Sequence, residues 1–197
     1  AALTRQLLIF SRGDVREATL IPLNDLVQKT GLMLHRLIPE PIQIRITTCK
    51  KSLQIKADQN DIAQILINLV LNARDAIQVE GWITISTGFL SHEESSKLNF
   101  EHAGGLCFLR VSDTGSGMNT AVQARVFEPF FTTKPEGHGT GLGLSTCQRL
   151  VASAGGKITI ESGVGQGSTF TIYLPRILDE IPGGAHLESE TPPANGH

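Results

Sequence analysis

Three stretches of this 197-residue chain carry residue types whose spacing has chemical meaning. The first holds Asn68, Asn72 and Asp75 at i, i+4 and i+7, so that on a helix they share a face. The same segment carries Ile62, Ile65, Leu66, Leu69, Ala73, Ala76 and Ile77 as an apolar stripe roughly a third of a turn away. Asparagine is a mediocre helix former. Two in register beside a buried face read as a polar site rather than as solvated surface. The carboxamide oxygen is hard and neutral, suited to Mg²⁺ without adding charge. The second stretch is VSDTGSGM, with Asp113 followed by Gly115, Gly117 and Met118. A strand delivers the carboxylate and the glycines permit a tight bend and close ligand approach. A carboxylate only accepts hydrogen bonds. It matches the exocyclic amine of adenine and opposes the carbonyl that guanine carries there, which predicts ATP over GTP.

The third stretch, GHGTGLGLS, alternates Gly137, Gly139, Gly141 and Gly143 with His138, Thr140 and Leu142, then runs into a helix. Backbone N–H groups at such a helix start form an anion site. No G-K-S/T follows, so this is not a Walker A loop. Between the two glycine elements lies FEPFFTTKP, residues 127–135. Its Phe127, Phe130 and Phe131 are read as anchors of a lid, and Lys134 as a cation within reach of phosphate. Eleven of the 20 glycines fall between Gly115 and Gly167, which marks that region as the place of close backbone approach.

In this order the segments resemble the boxes of the catalytic, ATP-binding domain of sensor histidine kinases. These belong to the GHKL ATPase group, with gyrase, heat-shock chaperones and mismatch-repair MutL. NLVLNARDA (68–76) resembles the N box, DTGSGM (113–118) the G1 box, FEPFFTTK (127–134) the F box and GHGTGLGLS (137–145) the G2 box. GQGSTF (165–170) resembles a G3 box. The resemblance covers almost the whole chain. It implies an α/β fold, a two-layer α/β sandwich of the GHKL (Bergerat) type, with a mixed sheet faced by about three helices. It implies ATP held between the N-box helix and a mobile lid. By that likeness Asn72 coordinates Mg²⁺, Asp113 reads the adenine amine, and Gly139, Gly141 and Gly143 approach the phosphates. Thr169 supports the Asp113 end of the pocket. Asn68, Asn72 and Lys134 are then the catalytic candidates. Asp75, Gly115, Gly117, Met118, His138, Thr140 and Leu142 complete the nucleotide-binding set.

The N box also bears on reaction type. Hydrolysing relatives typically carry Glu at the position of Asn68, as general base for water, and an Asn cannot take that proton. The chain is therefore expected to protect the γ-phosphate until an acceptor arrives. One departure stands out: many histidine kinases have Lys where this chain has Asp75. Arg74, Lys134 and His138 become the candidate cations.

The elements that must position these residues follow from pattern. A short strand is expected at 18–21 and a helix from an Asn24 cap to about Leu37, stopped by Pro39 and Pro41. IQIRITT (42–48) and SLQIKA (52–57) alternate and read as a paired hairpin. Asp58 opens a long amphipathic helix ending near Gly81. Strands follow at 82–90 and 106–113, with a polar loop over 91–105. Asn119 starts a short helix, 127–139 is a long loop, and 140–154 is a helix ending at Gly155-Gly156. KITIES and STFTIYL close the body as two strands around a glycine-rich turn.

The expected organisation is 1–13 as the end of a dimerisation and phospho-acceptor hairpin, which LTRQLLIFSR resembles, then 18–175 as the catalytic domain and 176–197 as a flexible linker. TPPANGH resembles the linker before a receiver domain in hybrid kinases. His92-Glu93 mimics an acceptor pair, but it sits in a polar loop with no apolar stripe. His35 has no acidic neighbour and reads as structural. A net charge of −2 gives no basic footprint for nucleic acid. Cys49, Cys107 and Cys147 form no C-x-x-C and read as buried, reduced thiols of a cytoplasmic domain. The longest apolar run, 62–73, is broken by Gln64, Asn68 and Asn72, so no membrane span is expected. The leading function is delivery of the ATP γ-phosphate to a histidine on the hairpin of a homodimeric kinase that signals to a receiver domain. The alternative is a GHKL ATPase that drives a conformational switch.

Overall fold

The computed structural model describes residues 17–100, 102–135 and 139–178. The elements run β1 (Thr19–Pro22), α1 (Leu23–Leu37), β2 (Ile42–Thr47), β3 (Gln54–Ala57), α2 (Gln59–Ala76), β4 (Gly81–Leu90) and α3 (His92–Ser96). They continue with β5 (Leu106–Asp113), α4 (Thr120–Arg125), α5 (Gly143–Ser153), β6 (Lys157–Ser162) and β7 (Ser168–Pro175). Five strands form one mixed sheet in the order β2-β4-β5-β7-β6, and β1 pairs with β3 in a separate ribbon. Among the described strands, β2 and β4 alone pair in parallel. The other neighbours in the large sheet are antiparallel. Among the described residues no helix is long and apolar enough to cross a membrane.

The long helices α1, α2 and α5 cover one face of the sheet, with α2 in the middle. Alternation along β5 assigns the faces: Cys107, Leu109 and Val111 enter the core, while Phe108, Arg110 and Ser112 point away. From β7, Phe170, Ile172 and Leu174 join the same core. Ile62, Ile65, Leu66, Leu69, Val70 and Ala73 of α2 press onto that surface. Each of the larger side chains contributes about 1.5–3 kcal/mol by leaving water. The opposite face mixes polar with aromatic side chains: Arg110 Nε donates to Thr171 Oγ1, and the Arg45 guanidinium is stacked 3.7 Å over Trp82. Asp58 caps α2, its carboxylate accepting from the N–H groups of Asn60 and Asp61. Buried Cys107 and Cys147 are free thiols, pushed by desolvation to about 11 and about 12; Cys49 is free and only half-buried.

Several expectations are corrected. The 42–48 and 52–57 strands do not form a hairpin. β2 lies parallel to β4 from Ile42↔Gly81 to Thr47↔Ser86, and β3 lies antiparallel to β1 from Thr19↔Ala57 to Pro22↔Gln54. Alternation tells which face is buried but not which edge is paired. Asn24 is not the cap of α1: Pro22 holds that position with no side-chain cap bond. The Asn24 amide donates to the carbonyls of Cys49 and Lys51, and its oxygen accepts from Thr87 Oγ1 at 2.6 Å. That staple holds the β2–β3 connection against β4. α2 ends at Ala76, short of Gly81, and α5 begins at Gly143 rather than 140. The 91–105 loop contains α3, nucleated by a reciprocal capping box between Ser91 and Glu94. The ordered body also runs past 175: Arg176 N–H donates to Gly105 O and Ile177 N–H donates to Gln54 O. The hairpin-like segment 1–13 and residues 179–197 lie outside the described residues.

Candidate functional site

The polar stripe of α2 faces the start of α5. Asn68 Nδ2 donates to Gly143 O at 3.4 Å. One turn on, Asn72 Nδ2 is 3.7 Å from where a Cβ on Gly143 would sit, and among the described residues its carboxamide makes no hydrogen bond. The first turn of α5 has no side-chain cap, and Leu142 holds the N-cap position. Its first-turn N–H groups, which find no side-chain cap among the described residues, therefore give positive potential beside the two asparagines. Asp75 lies a further turn along, with a carboxylate shared by Arg74 and Lys134. Burial alone would raise its pKa, but the hydrogen bonds and charges of Lys134 and Arg74 hold it below the ordinary aspartate value. Arg74 is thus spent on its neighbour and is not a free cation.

Asp113 ends β5 and is 8% exposed. Its Oδ1 accepts from Gly115 N–H at 2.8 Å and from Ser168 N–H at 3.3 Å. Burial pushes its pKa up, against the pull of those two N–H groups. Its second oxygen has no protein donor among the described residues, so it is available to a ligand amine.

The glycines of this region serve the protein as much as any ligand. A Cβ on Gly115 would lie 2.6 Å from Ala76 O, at the end of α2, where Ser116 N–H also donates. Gly117 has φ +64 and a Cβ there would fall 1.8 Å from Gly163 O, in the β6–β7 turn. Met118 N–H donates to Ser162 Oγ, and its side chain packs on the core. The Asp113 turn is therefore wedged between α2 and the β6–β7 turn.

On the other side, Phe127 packs edge-on against Phe170 with centroids 6.4 Å apart. Phe130 is exposed with φ +67, and its N–H donates to Gly141 O. Gly141, at φ +65, lies so close that a Cβ would be 2.3 Å from the Phe130 carbonyl carbon. Phe131 is covered by the Arg125 guanidinium. Gly139 packs on Thr132 and Lys134, and Thr140 Oγ1 accepts from Leu142 N–H. His138 lies outside the described residues. Thr169 is not brought to the site: its hydroxyl bonds Ser112 Oγ at 2.9 Å, on the face of the sheet that Asp113 does not share.

The family model described as "Histidine kinase-, DNA gyrase B-, and HSP90-like ATPase" matches residues 57–177, which includes every part of this site. The chain belongs to that family. The sensor kinase CckA of Brucella abortus (strain 2308) is 38% identical over 182 residues, covering 91% of this chain and 19% of that protein. The nucleotide-free catalytic domain of histidine kinase ThkA is 30% identical with a TM-score of 0.66, covering 81% of this chain and 96% of that one. ThkA in complex with the response regulator TrrA is 26% identical with a TM-score of 0.65, covering 89% of this chain and 47% of that one. The chain spans about a fifth of the length of CckA. It is an ATP-binding catalytic domain of the histidine kinase kind, with the two-layer α/β sandwich that its boxes imply.

Within this kinase domain two neighbours of Asp113 escape a reading of the sequence. Ser168, adjacent to Thr169, is buried and gives its N–H to Asp113. Ser162 binds Met118 N–H, Gly167 O and Ser168 Oγ, so it ties the Asp113 turn to the β6–β7 turn. Counting alternation outward from Asp113 across the β5–β7 pair, with Ser112 opposite Thr169, would have assigned Thr169 to the other face.

Proposed function

We propose that the chain is the phosphoryl-donor half of a protein-histidine kinase. It binds ATP with Mg²⁺ and presents the γ-phosphate to a histidine on a hairpin domain of the same full-length, homodimeric protein. The observation that carries this reading is the pairing of two features: the half-satisfied carboxylate of Asp113 at one end, and the unbonded Asn72 facing the capless start of α5 at the other. Adenine's amine donates to the unpartnered oxygen of Asp113, while Oδ1 stays fixed by Gly115 and Ser168. The triphosphate then runs toward the N–H groups of Gly143 and the residues after it, with Gly139 and Gly141 shaping its approach.

The donor set fits Mg²⁺. A neutral carboxamide oxygen beside a phosphate track suits an ion that keeps water and phosphate ligands and takes only one or two from protein. When bound, the ion shares the charge of the β- and γ-phosphates. Asn72 would hold it, and Lys134 would turn its side chain toward the γ-phosphate. Asn68 fixes the Gly143 carbonyl and offers no base to water, which favours transfer over hydrolysis. The likeness to ThkA in complex with the response regulator TrrA supports a receiver domain as the downstream partner.

Incubation with γ-labelled ATP and a separately supplied hairpin domain tests this. Acid-labile label on the hairpin, with little phosphate released to water, is the expected result. Rapid phosphate release with no labelled hairpin would favour an ATPase switch.

A further inference from the structure

The loop over 127–135 reaches the body in two ways. Its first half is seated by Phe127 on Phe170 and by Phe130 on Gly141. Its second half is different. The backbone bonds of Phe131 and Lys134 stay within the loop, to Glu128 O and Thr132 Oγ1. Among the described residues, one ion pair joins this half to α2: Lys134 Nζ to Asp75 Oδ2, at 2.5 Å. Arg74 meanwhile holds the other carboxylate oxygen, with Nε at 2.8 Å and Nη2 at 2.6 Å. The two cations thus divide one carboxylate.

We propose that Asp75 is a latch, which holds Lys134 and residues 131–135 against α2 while no triphosphate is bound and releases the lysine when one arrives. The second half of this statement rests on the reading of Lys134 as a phosphate contact. The chemistry of exchange is balanced. Carboxylate and phosphate compete for one ammonium, three residues along α2 from Asn72, which on a helix is the neighbouring position on the same face. Arg74 stays on Asp75 throughout, so the carboxylate is never left unpaired when Lys134 departs. The pair is partly exposed, 32% for Lys134 and 28% for Asp75, so it is weak enough to be broken by a multiply charged ligand. A residue with this role is a positioning residue that opposes binding.

The test is amide exchange on the nucleotide-free chain, followed by titration with Mg²⁺ and a non-hydrolysable ATP analogue. Asp75→Asn should speed exchange over 131–135 by about two- to fivefold, the range an exposed ion pair commands. Lys134→Gln should do the same, and the double variant should do no more than either single one. Asp75→Asn should also bind the triphosphate analogue more tightly, by about two- to fivefold, with a smaller gain for ADP. A helix-stabilising role for Asp75 would not tighten binding. Unchanged exchange in Asp75→Asn, additive effects in the double variant, or weaker triphosphate binding would each overturn the latch. If no variant binds nucleotide, the kinase reading fails, while the exchange results still decide the latch.

Discussion

Replacing Asp113 by Asn tests the adenine end of the site with one atom. The carboxylate has one oxygen engaged by two backbone N–H groups and one available to the ligand. An Asn side chain has two orientations, and each loses something. With its oxygen toward Gly115 and Ser168, its NH₂ confronts the adenine amine, donor to donor. Flipped, it accepts from adenine but opposes two backbone donors that are then left without a partner. Either loss amounts to about 1.5–3 kcal/mol, a charge-assisted bond or a buried unsatisfied group. That corresponds to roughly a 10- to 150-fold weaker dissociation constant. Folding should survive. Burial raises the pKa of Asp113, so its charged form costs stability above that pKa, and a neutral Asn removes this cost. Calorimetric titration with ADP, beside a thermal melt without nucleotide, reads both quantities. Unchanged affinity in a variant with an undiminished melting temperature would refute the assignment of Asp113 to adenine.

Other outcomes follow from the same geometry. Gly117→Ala should destabilise the chain by about 2–4 kcal/mol in urea unfolding, because φ +64 and a Cβ 1.8 Å from Gly163 O are both prohibitive. A Mg²⁺-bound ATP analogue should slow amide exchange over 127–135, and equal exchange in both states would make that segment a rigid connector. The isolated chain should bind ATP without labelling itself, since His92 lies on the five-residue α3 and His35, on α1, has no acidic neighbour. Acid-labile label lost in His92→Gln or His35→Gln would contradict this. Asp75 has a lowered pKa, so its ion pairs contribute stability above the ordinary value of 3.8 and lose it as pH falls through the folded value. The exchange difference between wild type and Asp75→Asn should therefore persist at pH 5 and vanish well below pH 4.

The helices and strands were legible where one signal dominated. The Asp58 cap, the apolar stripe of α2 and the alternation of 106–113 each had no competing pattern. Strand pairing was not legible, because Ile44 and Ile55 satisfy the same inside-outside rule whichever neighbour they choose. Asn24 misled for a related reason. Asparagine favours caps, but its amide also bonds distant carbonyls, and here Cys49, Lys51 and Thr87 claim it. In the site, residue types singled out Asp113 and Asn72 as candidates, since few residues offer a buried acceptor or a neutral hard oxygen. Thr169 was placed wrongly because the choice between it and Ser168 depends on which face Asp113 takes. The Asp75–Lys134 pair spans 59 positions, and no local pattern announces it.

The short ribbon of β1 and β3 has a mechanical consequence. Gln54 pairs with Pro22 on one side and bridges Ile177 on the other. The chain therefore arrives at Thr19 and departs at Ile177 on opposite flanks of one four-residue strand, about 10–15 Å apart by strand geometry. A body tethered at two such close points is a pendant: it can swing as a unit while whatever is joined to either end stays in line. Tension pulled through those ends would load the β1–β3 ribbon and the Ile177 bridge first. Beyond the bridge the load would pass through Arg176, bonded to Gly105 O, into β7 and so into the five-stranded sheet.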